Sequence, residues 1–138
     1  MSKILKISIM TMAAIFLIAC GGEDPRAEDK AMMVEKELEY GYVTKEEAEC
    51  MVNLASDFYS DDEKWATYVG MYDLTLEEQV LLSDKENPTA DEQKQIMVAS
   101  EGVAMLSKIK SECNVDAVEV SMKRYADAYE SMFEELYD

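Results

Sequence analysis

The sequence contains no histidine. That removes the commonest general base, the usual haem ligand, and the catalytic triads and zinc sites built on imidazole. Glycine and proline are scarce, at 5 and 2 residues, and no stretch alternates apolar and polar residues for long enough to make a useful strand. Glycine-rich phosphate loops and basic aromatic patches are absent too. Positive charge is short: 13 Lys and Arg stand against 30 Asp and Glu, a formal net charge of -17. A field of that sign repels nucleic acid and anionic headgroups and attracts cationic partners, so no nucleic-acid partner is expected. With 138 residues, 49% of them hydrophobic, the chain can build one core but not two domains of ordinary size.

Lys3 and Lys6 precede an uncharged, mostly apolar run of 13 residues, Ile7 to Ala19. This is the layout of a secretory signal peptide, and the run falls short of the about 20 residues that a membrane-spanning helix needs. Leu17-Ile18-Ala19-Cys20 then resembles the lipobox of bacterial lipoproteins, in which a leucine and a small residue lead to an invariant cysteine. Ile18 stands where Ala or Ser is more usual. The resemblance implies that residues 1–19 are a cleaved signal peptide, that Cys20 carries a diacylglyceryl thioether, and that palmitate-type acylation of the new amino terminus completes the anchor. One acyl chain binds a membrane marginally and two or three bind firmly, each buried CH₂ adding about 0.8 kcal/mol. An ordinary cleaved signal and an uncleaved anchor are the alternatives. Gly21 stands where an Asp would favour retention at the inner membrane of a Gram-negative cell. The resemblance therefore points to the bacterial cell envelope, at the outer membrane, facing the periplasm or the surface.

Residues 20–25 form a lipidated cysteine and a short tether, and residues 26–138 an acidic helical domain. Without Lys3 and Lys6 the balance is 11 basic against 30 acidic side chains, or -19. Arg26 to Tyr40 places Ala27, Ala31, Val34 and Leu38 on one helical face, and Gly41 supplies a left-handed stop. Thr44 to Glu47 has the form of a capping box and opens a helix with Ala48, Met51, Ala55 and Phe58 on one side. A third helix starts near Asp61 or Asp62 and presents Trp65, Val69 and Tyr72; Thr75 caps a short segment through Leu82. Thr89 to Glu92 repeats the capping box before a long helix with Ile96, Ala99, Val103, Leu106, Ile109 and Cys113 on its apolar seam, which Asn114 ends. A last helix, starting near Asp116, carries the most regular seam of all, Val118, Met122, Tyr125, Tyr129, Met132 and Leu136. The expected fold is all-α, a small antiparallel bundle of about five helices.

If Cys20 carries lipid, Cys50 and Cys113 remain as an even pair in an oxidising compartment, and a disulfide between them is expected. The alternative is two buried free thiols. Cysteine or lysine nucleophiles have no visible activating motif, and no catalytic residue, cofactor or metal ligand is assigned. The acidic doublets Glu46 with Glu47, Glu77 with Glu78 and Glu134 with Glu135 sit at helix starts or on polar faces, where solvation and capping account for them. Asp57, Asp61, Asp62 and Glu63 are the densest acidic cluster, but their spacing fails the calcium-loop pattern. Met51, Met105 and Met122 fall on or beside core faces, as filler.

Aromatic residues are the remaining signal. Tyr59, Trp65, Tyr68 and Tyr72 cluster near the third helix, with Trp65, Tyr68 and Tyr72 as a candidate interface, while Tyr125, Tyr129 and Tyr137 lie on the last; a core role competes for both groups. The leading expectation is a membrane-anchored, non-enzymatic module that binds another envelope protein, for which the net charge favours a cationic one. The alternatives are an immunity or inhibitor protein that neutralises a cationic toxin or hydrolase, and a small-ligand binder with a pocket between helices.

Overall fold

The computed structural model describes residues 23–137. The expected signal peptide, residues 1–19, and the expected lipidation at Cys20 lie outside the described residues. The fold is all-α, with no strand among the described residues. In chain order the elements are α1 (Ala27–Tyr40), α2 (Lys45–Phe58), α3 (Asp62–Gly70), α4 (Leu76–Ser83), α5 (Ala90–Glu101), α6 (Leu106–Cys113) and α7 (Ala117–Tyr137). A 3-10 turn, Met71–Asp73, follows α3, and another, Gly102–Met105, joins α5 to α6. Taking residues 90–113 as one interrupted helix, there are six helices where about five are expected, the short α4 being the additional one.

Local chemistry explains where the helices begin. Thr44, Thr75 and Thr89 each accept a hydrogen bond from the amide three residues on, while Glu47, Glu78 and Glu92 reach back to the threonine amides at 2.7–2.8 Å. These are three reciprocal capping boxes. Asp61 caps α3 through the Lys64 amide at 2.9 Å, and Asp116 caps α7 through the Glu119 amide at 3.1 Å. Asn114 adopts the left-handed conformation that ends α6, at φ 56°. Gly41 ends α1 with φ 80° but an extended ψ of -178°, and Tyr42 after it also takes a positive φ of 70°.

α1 and α2 form a hairpin, α2 packs on α6, α3 on α5, and α7 lies against α4 and α6. The core centres on Met33, Val52, Tyr59, Trp65, Val98, Met105 and Ile109. Cys50 and Cys113 form the disulfide, with Cα atoms 5.6 Å apart, joining α2 to the end of α6 across 63 residues of sequence.

The inward faces differ from the expected seams at four places. In α1 the buried residues are Met33 and Glu37, while Leu38, Ala27 and Ala31 face outward, because Arg26, Asp29 and Glu37 all find partners on neighbouring helices. In α2 Phe58 is exposed and its neighbour Tyr59 turns inward to hydrogen-bond across the core. The 3-10 turn at Gly102–Met105 shifts the helical phase, so Val98 and Met105 are buried while Ala99 and Val103 face solvent. In α7 the buried residues are Ala117, Arg124 and Ala128; Val118, Met122, Tyr129 and Leu136 point away from the body, and the part-exposed Tyr125 borders the cavity beside Arg124. Met122 is therefore surface rather than core filler.

Candidate functional site

Two arginines are present in the whole sequence, and both are used inside the fold. Arg26, at the entry to α1, reaches the end of α2: Nη1 donates to the Ser56 and Tyr59 carbonyls at 2.8 Å each. Its Nη2 donates to the Asp62 carboxylate at 2.8 Å, and the guanidinium lies 4.8 Å from the centre of the Trp65 ring. Trp65 in turn donates Nε1–H to Asp29 at 2.9 Å and is only 3% exposed. A cation at helix-terminal carbonyls satisfies acceptors that have no partner within the helix and complements the helix dipole.

Arg124 does the same for α1 from α7. Its Nε and Nη2 donate to the Gly41 carbonyl at 3.2 and 3.0 Å, and Nη2 also donates to the Glu37 carbonyl at 3.2 Å. Nη1 lies 2.7 Å from Glu37 Oε2, with the two side chains 9% and 6% exposed. That approach is an ion pair off the line of a hydrogen bond, so Oε2 accepts none from the described residues. Glu37 Oε1 accepts from the Tyr72 hydroxyl at 2.8 Å.

The aromatic residues assemble around this pair. Tyr68, on α3, and Tyr72, one helical turn later in the 3-10 segment, share a face, their hydroxyls 3.5 Å apart. Tyr40 stacks on Tyr72 with ring centres 6.3 Å apart and lies 5.4 Å from the Arg124 guanidinium. Burial pushes the Tyr68 hydroxyl up to about 12. Tyr72 is pushed well above the ordinary 10.0, first by burial and then by Tyr68 and Glu37. Both hydroxyls are held protonated near neutral pH, as hydrogen-bond donors rather than bases. A cavity of about 150 Å³ is lined by Glu37, Tyr40, Tyr68, Tyr72, Gln79 and Arg124. A second cavity of about 320 Å³ shares Glu37, Tyr68, Tyr72 and Arg124 and is walled by Met51, Met105 and Leu106.

Of the candidate interface residues, Tyr68 and Tyr72 therefore line a cavity, and Trp65 gives its ring to the core. Cys50 and Cys113 are joined. The acidic cluster does not converge: Asp61 caps a helix, Asp62 pairs with Arg26, and Glu63 pairs with Lys94 at 3.1 Å. Among the described residues no three acidic or cysteine side chains gather in a way that would hold a metal ion.

The second candidate is a surface. Val118, Met122, Tyr125, Tyr129, Phe133 and Leu136 are 39% to 77% exposed and run along the outer side of the 21-residue α7. Helical periodicity found this line, with the part-buried Met132 in place of Phe133, but could not say which side of the helix the body would cover. Arg26, Arg124 and Glu37 had no local signal, because their partners lie 30 to 87 residues away. No family model, curated protein or solved structure matches this chain.

Proposed function

We propose that this chain is a non-enzymatic protein-interaction module of the bacterial cell envelope, anchored by lipid at Cys20, with the outer face of α7 as its contact surface. The observation that carries this is the uncovered line of large apolar side chains on α7. An exposed line of large apolar side chains along one helix is the kind of surface that often serves as an interaction site. The tether is consistent with a body held near a membrane, since Asp24 already binds the Arg26 amide at 2.9 Å and Lys30 at 2.6 Å. No helix among the described residues is long and apolar enough to cross a membrane. The acidic surface outside α7 suits a cationic partner, for which an inhibitor or immunity role is the narrower form of the reading.

Chemical crosslinking in intact envelopes tests it. The wild-type chain is expected to give defined adducts, and a Met122→Glu, Phe133→Glu variant with unchanged helicity is expected to lose them. Equal adducts from both chains would refute α7 as the contact surface.

A second reading, a small-ligand site, is favoured by the tyrosine-lined cavity beside the buried Glu37–Arg124 pair. Thermal stabilisation of the wild type by small alcohols or amides, absent in Glu37→Gln, tests it; equal response in both would exclude it.

A further inference from the structure

We infer that the partner seated on the outer face of α7 is a second copy of this chain, paired antiparallel about a two-fold axis. The inference rests on α7 being a docking face and names what occupies it.

Val118, Met122, Tyr125, Tyr129, Met132 and Leu136 follow one another at spacings of four, three, four, three and four. Every second member is seven residues on, so the six lie on one side of the helix in the a and d layout that can pack against another helix. The helix's own body indeed packs elsewhere on it, at Ala117, Arg124 and Ala128.

Charge selects the orientation. The first part of α7 carries Glu119, Lys123 and Arg124, whereas the last part carries Glu130, Glu134 and Glu135. A parallel pair would place those acidic ends side by side. Arg124 is turned inward to Glu37, so an antiparallel pair sets each against the part that holds the exposed Lys123. Around the middle, the positions flanking the seam are Ser121, Ala126 and Ala128. Two copies of a strongly acidic chain can therefore meet there without opposing charges of like sign.

The register follows from symmetry. An axis at residue 127 sets Tyr125 against the second copy's Tyr129, Met122 against its Met132, and Val118 against its Leu136. A two-fold pairing of this kind is self-complementary, as isologous dimers require. Aromatic side chains bury about 150–250 Å² each, so at these exposures the face offers on the order of 600 Å² per copy and roughly 1,200 Å² per pair. That reaches the lower end of the range for specific interfaces, which points to a concentration-dependent dimer.

Sedimentation equilibrium of the full chain in detergent, with directed disulfide crosslinking, tests this. The wild type is expected to move from monomer to dimer as concentration rises. Met122→Glu, in the same detergent with unchanged helicity and an intact Cys50–Cys113 bond, is expected to weaken the dimer by about tenfold or more. A chain carrying Met122→Cys should crosslink to one carrying Met132→Cys far more than to another copy of itself. Equal crosslinking in both combinations, or a wild type that stays monomeric, would overturn the pairing. In the monomeric case, envelope adducts lost in Met122→Glu would leave α7 as a docking face for a different protein; adducts unaffected by it would remove that reading as well.

Discussion

Arg124 and Glu37 meet inside the fold with Nη1 2.7 Å from Oε2, and the same guanidinium covers the Gly41 and Glu37 carbonyls at the end of α1. The pair lies 87 residues apart in sequence and fixes how α7 lies against α1. Each charge compensates the other in a place poorly reached by water. Arg124→Met alone should therefore cost roughly 3–5 kcal/mol, because it strands a buried carboxylate. Arg124→Met with Glu37→Leu should recover most of that loss. Urea unfolding of the three variants measures it; equal losses in the single and double variants would contradict the coupling.

Tyr59 and Gly102 form the second close relationship. The Tyr59 hydroxyl donates to the Val98 carbonyl at 2.6 Å, and a Cβ placed on Gly102 would stand 2.8 Å from the same oxygen. Gly102→Ala is expected to destabilise by about 1–3 kcal/mol through overpacking against a ring that is itself buried. Tyr59→Phe removes the oxygen and should cost about 1 kcal/mol for the lost hydrogen bond. On that background Gly102→Ala should become neutral or stabilising, since alanine favours a helix. A double-mutant cycle by thermal unfolding reads the coupling.

Alkali should unfold the protein through its tyrosines. Burial raises Tyr59, Tyr68 and Tyr72 above the ordinary 10.0, Tyr68 to about 12. A folded value above the unfolded one gives stability that is complete below pH 10 and lost as pH rises through the folded value. Tyrosinate absorbance and helicity should change together between pH 10 and about 12. Full ionisation of all tyrosines with helicity intact would contradict their burial.

Acid acts on the opposite side. Asp116 is held below its ordinary 3.8, first by Lys110 and then by the Glu119 amide that it caps. A depressed folded value gives stability present above 3.8 and lost as pH falls through the folded value. Asp116→Asn should flatten the acid limb of a stability profile between pH 4 and 2, roughly the window in which carboxylates protonate. An unchanged limb would show that other carboxylates set it.

Helix starts and stops were legible because their chemistry is local. Thr44, Thr75, Thr89 and Asp61 bind amides three residues away, and Asn114 needs only its own backbone. The cysteine pairing was expected only through the lipobox resemblance, which sets Cys20 aside and leaves Cys50 and Cys113 as an even pair. The faces were not, because an apolar line such as Val118 to Leu136 reads alike whether it meets its own core or another molecule. What decided α7 is Arg124, a charged residue drawn inward by carbonyls on a distant helix. Tyr68 and Tyr72 were recognisable as one face from their spacing of four, but Glu37, which completes their site, looked like one more acid on a solvated helix.

The most direct test of α7 as a contact face uses two methionines already present. Met97 on α5 and Met122 on α7 are each 61% exposed. In dilute purified protein, mild peroxide should oxidise them at similar rates, with the buried Met33 lagging both. In the intact envelope Met122 should be protected and Met97 should not. Equal oxidation of Met97 and Met122 there would contradict the docking of a protein on α7.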